Sequence, residues 1–248
     1  MQPQLIHCSY HKCLTRYFKQ IFGALRRSGV LPGGYYHFRS FKPEFDAESP
    51  RYRVSSLNNH TLDLNRYQHA RVTRFVRDPR DLLVSGYFYH LRGPEAWCNV
   101  VDPSEKDFEV VNGTVPENMT KGLSYAQFLS SLSLAEGLLT EMEFRQKHFE
   151  SMGSWQDDND RLLTFRYEDI VDNEASVFDR IFRFYELPWA TRKLGVFYAK
   201  RFASRTVKNA NPHVRDPRSG QWTTVLPDNV KAEIHERHGG LLRKLNYE

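Results

Sequence analysis

The chain has 248 residues, of which 40% are apolar and 26% are charged, and its formal net charge is +5. This length is enough for one large α/β domain with a buried core, and the composition is ordinary for a globular protein. No window approaches the roughly 18 apolar residues of a membrane span. The basic residues are dispersed and form no continuous face with interleaved aromatics, so we expect neither a membrane nor a nucleic-acid partner.

The N-terminal apolar stretch, Leu5-Ile6-His7-Cys8, is only about as long as a strand and lacks the flanks of a signal peptide. Three cysteines are an odd number and too few for a disulfide framework, which favours a reducing compartment. No Cys/His cluster has the spacing of metal ligands. We therefore expect a cytoplasmic protein without a metal. The sequence does not determine the oligomeric state.

The predicted elements alternate between strands and helices. Residues 4–9 indicate a short buried strand, and the helix after it places Phe18, Ile21, Phe22 and Leu25 on one face. Further strands are predicted over 51–57, 71–76 and 161–167, and further helices from Pro79 and over 124–132, 134–152, 175–185 and 227–245. Residues 92–122 show no period and are predicted to be a surface loop or lid, and 204–226 are loop-rich.

Strands that alternate with helices predict a parallel sheet covered on both faces. Ligands of such sheets bind beyond the carboxyl ends of the strands. Three segments fall at strand ends: 10–17, 77–85 and 166–169. We therefore expect one domain, residues 1–248, with one site.

The first segment is Tyr10-His11-Lys12-Cys13-Leu14-Thr15-Arg16-Tyr17. A helix N-terminus offers backbone N–H groups and a partial positive charge, which suits a phosphate. Lys12 and Arg16 add cationic donors, and Thr15 adds a hydroxyl. The glycines of a Walker A motif are missing. A plain strand–turn–helix with a surface lysine is the alternative.

The second segment is Arg77-Asp78-Pro79-Arg80-Asp81-Leu82-Leu83-Val84-Ser85. Its first arginine closes a strand, and its serine lies about two turns along the following helix. A guanidinium and a hydroxyl in this arrangement can both donate hydrogen bonds to one phosphate. The alternative is that Asp78 and Asp81 pair locally with Arg77 and Arg80.

These segments resemble the sulfotransferase family that depends on 3′-phosphoadenosine 5′-phosphosulfate (PAPS). Its first signature is a strand followed by Pro-Lys-Ser/Thr-Gly-Thr-Thr-Trp/Phe. Lys12, Thr15 and Tyr17 match it, while Leu14 replaces the usual glycine and Arg16 the second threonine. Its second signature, Arg-Asn/Asp-Pro-Arg/Lys-Asp-x-x-x-Ser-x-Tyr after a strand, matches residues 77–87 almost letter for letter.

Two later stretches are similar to the same family. Tyr167-Glu168-Asp169-Ile170 resembles its Tyr-Glu-Asp-Leu, and we assign it to structure. Arg215-Asp-Pro-Arg218-Ser219-Gly220-Gln221-Trp222 looks like its late Arg-Lys-Gly-x-x-Gly-Asp-Trp segment, with Asp-Pro in place of Lys-Gly. The matches follow the family order along almost the whole chain.

The resemblance implies a P-loop-containing α/β fold, a single three-layer domain whose central parallel sheet is flanked by helices. It implies transfer of a sulfuryl group from PAPS to a hydroxyl or amine of a small-molecule or carbohydrate acceptor, without a metal. Residues 92–122 would then lie on the acceptor side.

The resemblance also implies roles for individual residues. The loop of Lys12, Cys13, Leu14, Thr15 and Arg16 would hold the 5′-phosphosulfate, and Lys12 would stabilise the leaving oxygen. Tyr17 would stack on the adenine. Arg77 and Ser85 would bind the 3′-phosphate. Further contacts to it would come from Arg215, Arg218, Ser219 and Gly220.

The acceptor must lose a proton, so we expect a general base that is neutral near pH 7. The order of elements in cytosolic members of the family points to His60, which follows a predicted strand. Members that resemble the Golgi enzymes use an acidic residue nearer the first loop, so Glu44 is the rival, with His37 third. Two other classes stay open: a P-loop small-molecule kinase and a non-catalytic nucleotide- or anion-binding module.

Overall fold

The computed structural model of the protein describes residues 3–38, 52–203 and 218–248. The chain divides into two compact units. The first lies within Met1–Val76 and Trp155–Pro217, and the second within Arg77–Ser154 and Arg218–Glu248. That all 248 residues form a single domain stays a prediction.

The strands are β1 (Leu5–Ser9), β2 (Tyr35–Phe38), β3 (Val54–Asn58), β4 (Arg71–Val76) and β5 (Leu162–Arg166). The helices are α1 (Thr15–Arg27), α2 (Pro79–His90), α3 (Glu105–Phe108), α4 (Tyr125–Ser131), α5 (Leu134–Phe144), α6 (Gln146–Gly153), α7 (Tyr167–Ile170), α8 (Glu174–Phe184), α9 (Trp189–Arg201), α10 (Trp222–Val225) and α11 (Asp228–Lys244). Two short 3₁₀ turns lie at Ala96–Asn99 and Glu109–Val111.

The first unit contains a five-stranded sheet in the order β2-β3-β1-β4-β5, and all four pairings are parallel. The parallel sheet flanked by helices was predicted from the sequence and is confirmed. β1 lies at the centre and is buried along its whole length. Because parallel strands end at the same edge of a sheet, the loop after β1 and the turn after β3 begin side by side, with Ser9 paired to Asn58.

Aromatic side chains cover one face of this sheet. The His7 ring stacks on Phe18 of α1 at 3.7 Å between centroids, and Phe75 packs edge-on against both rings. Phe178 of α8 contacts Phe18 and Phe75. The predicted apolar face of α1 is confirmed, since all four of its residues are buried.

The opposite face of the sheet carries a second apolar cluster with Trp155 at its centre. Trp155 is almost completely buried, and its indole N–H donates to the Tyr10 hydroxyl at 2.9 Å. Arg74, also buried, lies over the Trp155 ring and pairs with Asp157 at 2.5 Å. Tyr10, the residue directly after β1, is thereby fixed to the core through its side chain.

The second unit is helical in its described residues, with α2 packed against α4, α5 and α11. Its core contains a buried charge network. Glu141 accepts hydrogen bonds from His90 at 2.7 Å, from the Arg145 Nε at 2.6 Å and from the Tyr125 hydroxyl at 2.9 Å. Burial would raise the pKa of the Glu141 carboxyl, but the charges of His90 and Arg145 hold that pKa below its ordinary value.

Residues 92–122 were expected to form a surface loop, and this expectation is wrong in part. The segment contains α3 and both 3₁₀ turns, and its Trp97 and Phe108 side chains are buried. Trp97 stacks on Phe144 at 5.5 Å. The sequence did not predict these helices, because each is too short to produce a hydrophobic period.

Candidate functional site

The loop between β1 and α1 has an unusual backbone. Lys12 and Leu14 have positive φ angles, 70° and 57°, in the left-handed region where side chains other than those of Gly, Asn and Asp are disfavoured. The Cys13 N–H donates to the Tyr10 carbonyl at 2.9 Å and closes the turn. The first i to i−4 bond of α1 joins the Phe18 N–H to the Leu14 carbonyl, so the preceding amides form the helix N-terminus that suits an anion.

Polar side chains at the ends of two strands support this loop. The Thr15 hydroxyl lies 2.8 Å from the Ser9 hydroxyl, and within donor distance of the Tyr10 carbonyl (3.1 Å) and the Asn58 Oδ1 (3.0 Å). The Asn59 Oδ1 accepts the His11 N–H at 2.6 Å. Neither asparagine was among the residues that the sequence singled out.

The predicted loop residues differ in what their side chains offer to a ligand. Lys12 is half-buried and Arg16 is exposed, so both cations lie at the surface of the loop. Cys13 is completely buried and contributes only its backbone. Tyr17 is buried, donates to the Ala199 carbonyl at 2.5 Å and packs edge-on against Phe178. Stacking of Tyr17 on adenine stays a prediction, and these contacts already give its ring a structural role.

Of the three candidate bases, two lie in the described residues. His60 follows β3 directly after Asn59 and is half-buried, and burial lowers the pKa of its imidazole. Burial thus favours the neutral form of this imidazole. His37 lies in β2, with its Nδ1 2.9 Å from the Ser56 hydroxyl. Glu44 lies outside the described residues.

The segment from Arg77 to Ser85 starts α2 with a regular cap. The Asp78 carboxylate accepts the Arg80 N–H at 2.9 Å, and Pro79 occupies the first helical position. Arg77 is 3% exposed, and Ser85 is half-buried on α2. The start of the helix at Pro79 is confirmed.

The alternative of local ion pairs is confirmed for Asp78, whereas the hydrogen bonds of Asp81 go to distant backbone groups. Asp78 pairs with Arg80 at 2.8 Å. Asp81, 1% exposed, instead accepts the backbone N–H of Gly220 at 2.6 Å and that of Trp222 at 3.0 Å. Burial raises the pKa of the Asp81 carboxyl, while the Arg77 charge and the two N–H groups oppose that shift.

Arg80 strengthens the connection between α2 and residues 218–222. Its guanidinium lies 3.8 Å from the centre of the Trp222 ring and donates to the Tyr247 carbonyl at 2.6 Å. Within the second unit, the structure thus brings Gly220 to the first turn of α2. Arg218 and Ser219 are exposed in the same short stretch, and Arg215 lies outside the described residues.

Gly86, which follows Ser85, is required by close packing. A Cβ at this position would lie 2.1 Å from both the Arg145 Nη2 and the Glu141 Oε1. The buried charge network is therefore in direct contact with the helix turn that carries Ser85.

Three residues with a supporting role were not predicted from the sequence: Asn58, Asn59 and Asp81. A signal existed for Asn59, because asparagine tolerates a left-handed backbone and follows a predicted strand. A signal also existed for Asp81, because it belongs to the matched signature, but the sequence pattern favoured an ion pair with a nearby arginine. Their hydrogen-bond partners lie 48 and at least 139 residues away in sequence, which no local pattern encodes.

Two further properties concern the described residues only. Among them, no group of three or more His, Cys, Asp and Glu side chains is arranged to hold a metal ion. None of the helices in the three described ranges has the length and apolar character that a membrane crossing requires.

A parallel sheet with an anion-receptive turn between its first strand and first helix defines the class of α/β proteins that bind phosphate groups. The sulfotransferase domain family matches residues 2–237, and the chain belongs to this family. It is therefore a sulfotransferase, an enzyme that transfers a sulfuryl group. A search of curated proteins finds no match.

Solved structures share the fold at low identity. A mouse sulfotransferase, SULT7A1, complexed with PAP is 13% identical and superposes with a TM-score of 0.57 over 98% of this chain and 86% of that chain. Retinol dehydratase in complex with androsterone and inactive cofactor PAP is 14% identical, with a TM-score of 0.54 over 96% and 80%. Retinol dehydratase in a complex with retinol and PAP is also 14% identical, with a TM-score of 0.56 over 98% and 82%.

Proposed function

We propose that this sulfotransferase takes its sulfuryl group from PAPS and transfers it to a hydroxyl or amine of a small molecule. The observation that carries the proposal is the loop of residues 10–14, which leads from the central strand to a helix N-terminus with Lys12 beside it. Such an N-terminus favours a phosphate through its amides and its partial positive charge. The product PAP, adenosine 3′,5′-bisphosphate, is bound by the similar structures named above.

Separate groups of residues are proposed for the two charged ends of PAPS. We assign the 5′-phosphosulfate to the loop amides with Lys12, Thr15 and Arg16. The 3′-phosphate suits Arg77, whose guanidinium is buried near the start of α2, and the Ser85 hydroxyl two turns further on. Arg218 and Ser219 would add donors to the 3′-phosphate, and Arg215 belongs to the same proposal. Gly220, whose N–H donates to Asp81, would hold this stretch to α2.

The chemistry follows from in-line displacement at sulfur. The acceptor oxygen or nitrogen forms a bond to sulfur while the bond from sulfur to the 5′-phosphate oxygen breaks. The electron pair of that bond stays on the leaving phosphate, where negative charge accumulates. Lys12 supplies a positive charge at this point, so we expect it to stabilise the transition state more than the bound substrate.

We propose His60 as the general base that receives the acceptor proton. Burial lowers the pKa of its imidazole and so favours the neutral form that a base requires. It follows Asn59, whose side chain binds the loop that carries Lys12. His37 and Glu44 remain the alternatives.

The acceptor class is the least constrained part of the proposal. Retinol and androsterone, the small molecules bound in the solved retinol dehydratase structures, are mainly apolar and carry a hydroxyl group. We propose an acceptor of this small-molecule kind, with a carbohydrate as the alternative, and residues 92–122 on the acceptor side. The acceptor is identified by incubating a panel of metabolites with the protein and labelled PAPS and finding which metabolite receives the label. We also propose a cytoplasmic location and a single domain.

Nucleotide selectivity tests the proposal directly. We expect PAP to raise the melting temperature of the protein clearly more than AMP does, because only PAP has a 3′-phosphate. Arg77→Ala should abolish the difference, whereas Arg237→Ala, at an exposed helical arginine, should preserve it. Equal shifts for PAP and AMP in the wild-type protein would contradict the PAPS assignment.

Turnover separates the remaining classes. We expect sulfuryl transfer from PAPS to continue in the presence of EDTA. A kinase would instead consume ATP and stop when magnesium is removed. A non-catalytic module would bind nucleotide without any transfer.

A further inference from the structure

Asn59 connects the end of β3 to the phosphate loop. It is completely buried, and its backbone N–H donates to the Ser9 carbonyl at 2.8 Å. Its φ of 60° turns the chain away from β3, and the side chain then accepts the His11 N–H at 2.6 Å. Asparagine is one of the few residues other than glycine that adopts this backbone region readily.

The loop needs support because it has no glycine at its two left-handed positions. Lys12 and Leu14 both carry a Cβ and are unfavourable in that conformation. Strained backbone of this kind persists only where the surrounding structure determines it. Among the described contacts, the bond from His11 to Asn59 ties the loop to β3, and the Thr15 hydroxyl adds a tie to Asn58 at the helix start.

We propose that Asn59 is a positioning residue that holds the phosphate loop, residues 10–14, in its ligand-binding conformation. A glycine at position 14 would adopt the left-handed backbone without strain, whereas Leu14 needs this support. This inference rests on the proposed function of the loop as the site of the 5′-phosphosulfate. Asn59 acts through the loop and does not itself contact the nucleotide.

The decisive variant is Asn59→Gly, because glycine keeps the left-handed backbone and removes only the side-chain acceptor. Affinities for PAP and for adenosine 3′-monophosphate are measured by calorimetry. We expect the affinity for PAP to fall about tenfold or more, the size of one lost hydrogen bond to a structured loop. The affinity for adenosine 3′-monophosphate should change less than about twofold, since this ligand has no 5′-phosphate.

A compensating substitution distinguishes positioning from general stability. Leu14→Gly removes the strain that Asn59 offsets, so we expect the Leu14→Gly/Asn59→Gly double variant to recover most of the lost PAP affinity. In steady state, Asn59→Gly should raise the KM for PAPS and lower kcat without moving the acidic limb of the pH profile. The matched control is Asn246→Gly, at an exposed asparagine with φ 57°, which should behave as the wild type.

The outcomes separate this inference from the proposed function. If wild-type protein does not prefer PAP to AMP, the proposed function is wrong. If it does, and Asn59→Gly loses affinity for neither ligand or equally for both, the positioning role is wrong. A double variant as weak as Asn59→Gly also overturns it. Should Asn59→Gly not fold, hydrogen exchange of the wild-type protein decides: an unprotected His11 amide contradicts the inference, and an amide protected further by PAP but not by adenosine 3′-monophosphate supports it.

Discussion

The two segments proposed to bind phosphate have the same local plan and are held in place differently. Each follows a strand and opens a helix, at Thr15 and at Pro79. The start of α2 is determined locally, by the Asp78 cap and by a proline at the first helical position. At α1 the N-cap residue is Leu14 in a left-handed conformation, and the described residues provide no side-chain cap there.

The difference shows where each geometry is encoded. A capping acid and a proline act within one turn, so α2 begins correctly in almost any surroundings. The loop before α1 depends on Asn58 and Asn59 from a neighbouring strand of the sheet. We expect changes at Lys12 and His60 to alter mainly catalysis, and changes around the second segment to alter mainly nucleotide affinity.

The largest effect is expected at His60, which lies next to the supports of the first segment. His60→Ala should lower kcat by roughly 10²–10⁴-fold, the usual range for a lost general base, and leave PAP affinity unchanged. Because burial lowers the pKa of this imidazole, the acidic limb of the pH profile should lie below about 6.5 and disappear in the variant. Loss of turnover in Glu44→Gln or His37→Ala, with His60→Ala active, would assign the base elsewhere.

Lys12 sharpens the contrast with Arg77. Lys12→Ala should reduce kcat by about 10²–10³-fold, because the charge that it stabilises develops only during transfer. PAP affinity should stay within about tenfold of the wild type. The measurements are single-turnover kinetics and calorimetry. Arg16→Ala is the comparison, and a normal kcat in Lys12→Ala would give the role to that arginine.

Asp81 tests the second segment without touching its proposed ligand contacts. Asp81→Ala removes the carboxylate that accepts the Gly220 and Trp222 N–H groups, so residues 218–222 lose their anchor on α2. We expect the Kd for PAP to rise about tenfold, in line with the loss of charged hydrogen bonds, with kcat at saturating PAPS nearly unchanged.

Asp78→Ala is the control for Asp81→Ala, since it removes a helix cap in the same turn. It should cost about 1 kcal/mol of folding free energy and affect PAP binding less. Equal PAP affinities for Asp81→Ala and the wild type would show that the late stretch does not depend on this carboxylate.

Acid should lower the folding stability of both units, and this is the smallest of the expected effects. Burial lowers the pKa of His148 to about 3, with the Arg145 charge adding to the shift, and burial also lowers the pKa of His7. Both imidazoles stay neutral in the folded protein, whereas unfolded chains protonate below about pH 6.5. Stability should therefore fall on acidification, by up to about 1.4 kcal/mol per pH unit for each histidine.

Urea unfolding at several values between about pH 7 and pH 5 measures this slope. His148→Gln should reduce it, because glutamine does not titrate. A slope identical to that of the wild type would mean that His148 is protonated in the folded protein.

Much of the fold followed from the sequence alone. The apolar face of α1, the strands β1, β3, β4 and β5 and the start of α2 were predicted because each is marked by a local period or cap. β2 was not predicted, since it has only four residues and, within the described ranges, lies at the edge of the sheet beside β3. α9 was not predicted either, because its buried stripe is Thr191, Gly195 and Ala199, small residues that produce no hydrophobic period.

The candidate site divides in the same way. The identities of Lys12, Arg77 and Ser85 were determined by the sequence, since they belong to contiguous signatures, and so were their positions after β1, after β4 and within α2. The supports of the site were decided only by the tertiary structure: Asn59 for the first segment and Asp81 for the second. The physical reason is that both act through hydrogen bonds to backbone groups far away in sequence, and a backbone N–H carries no residue-specific signal.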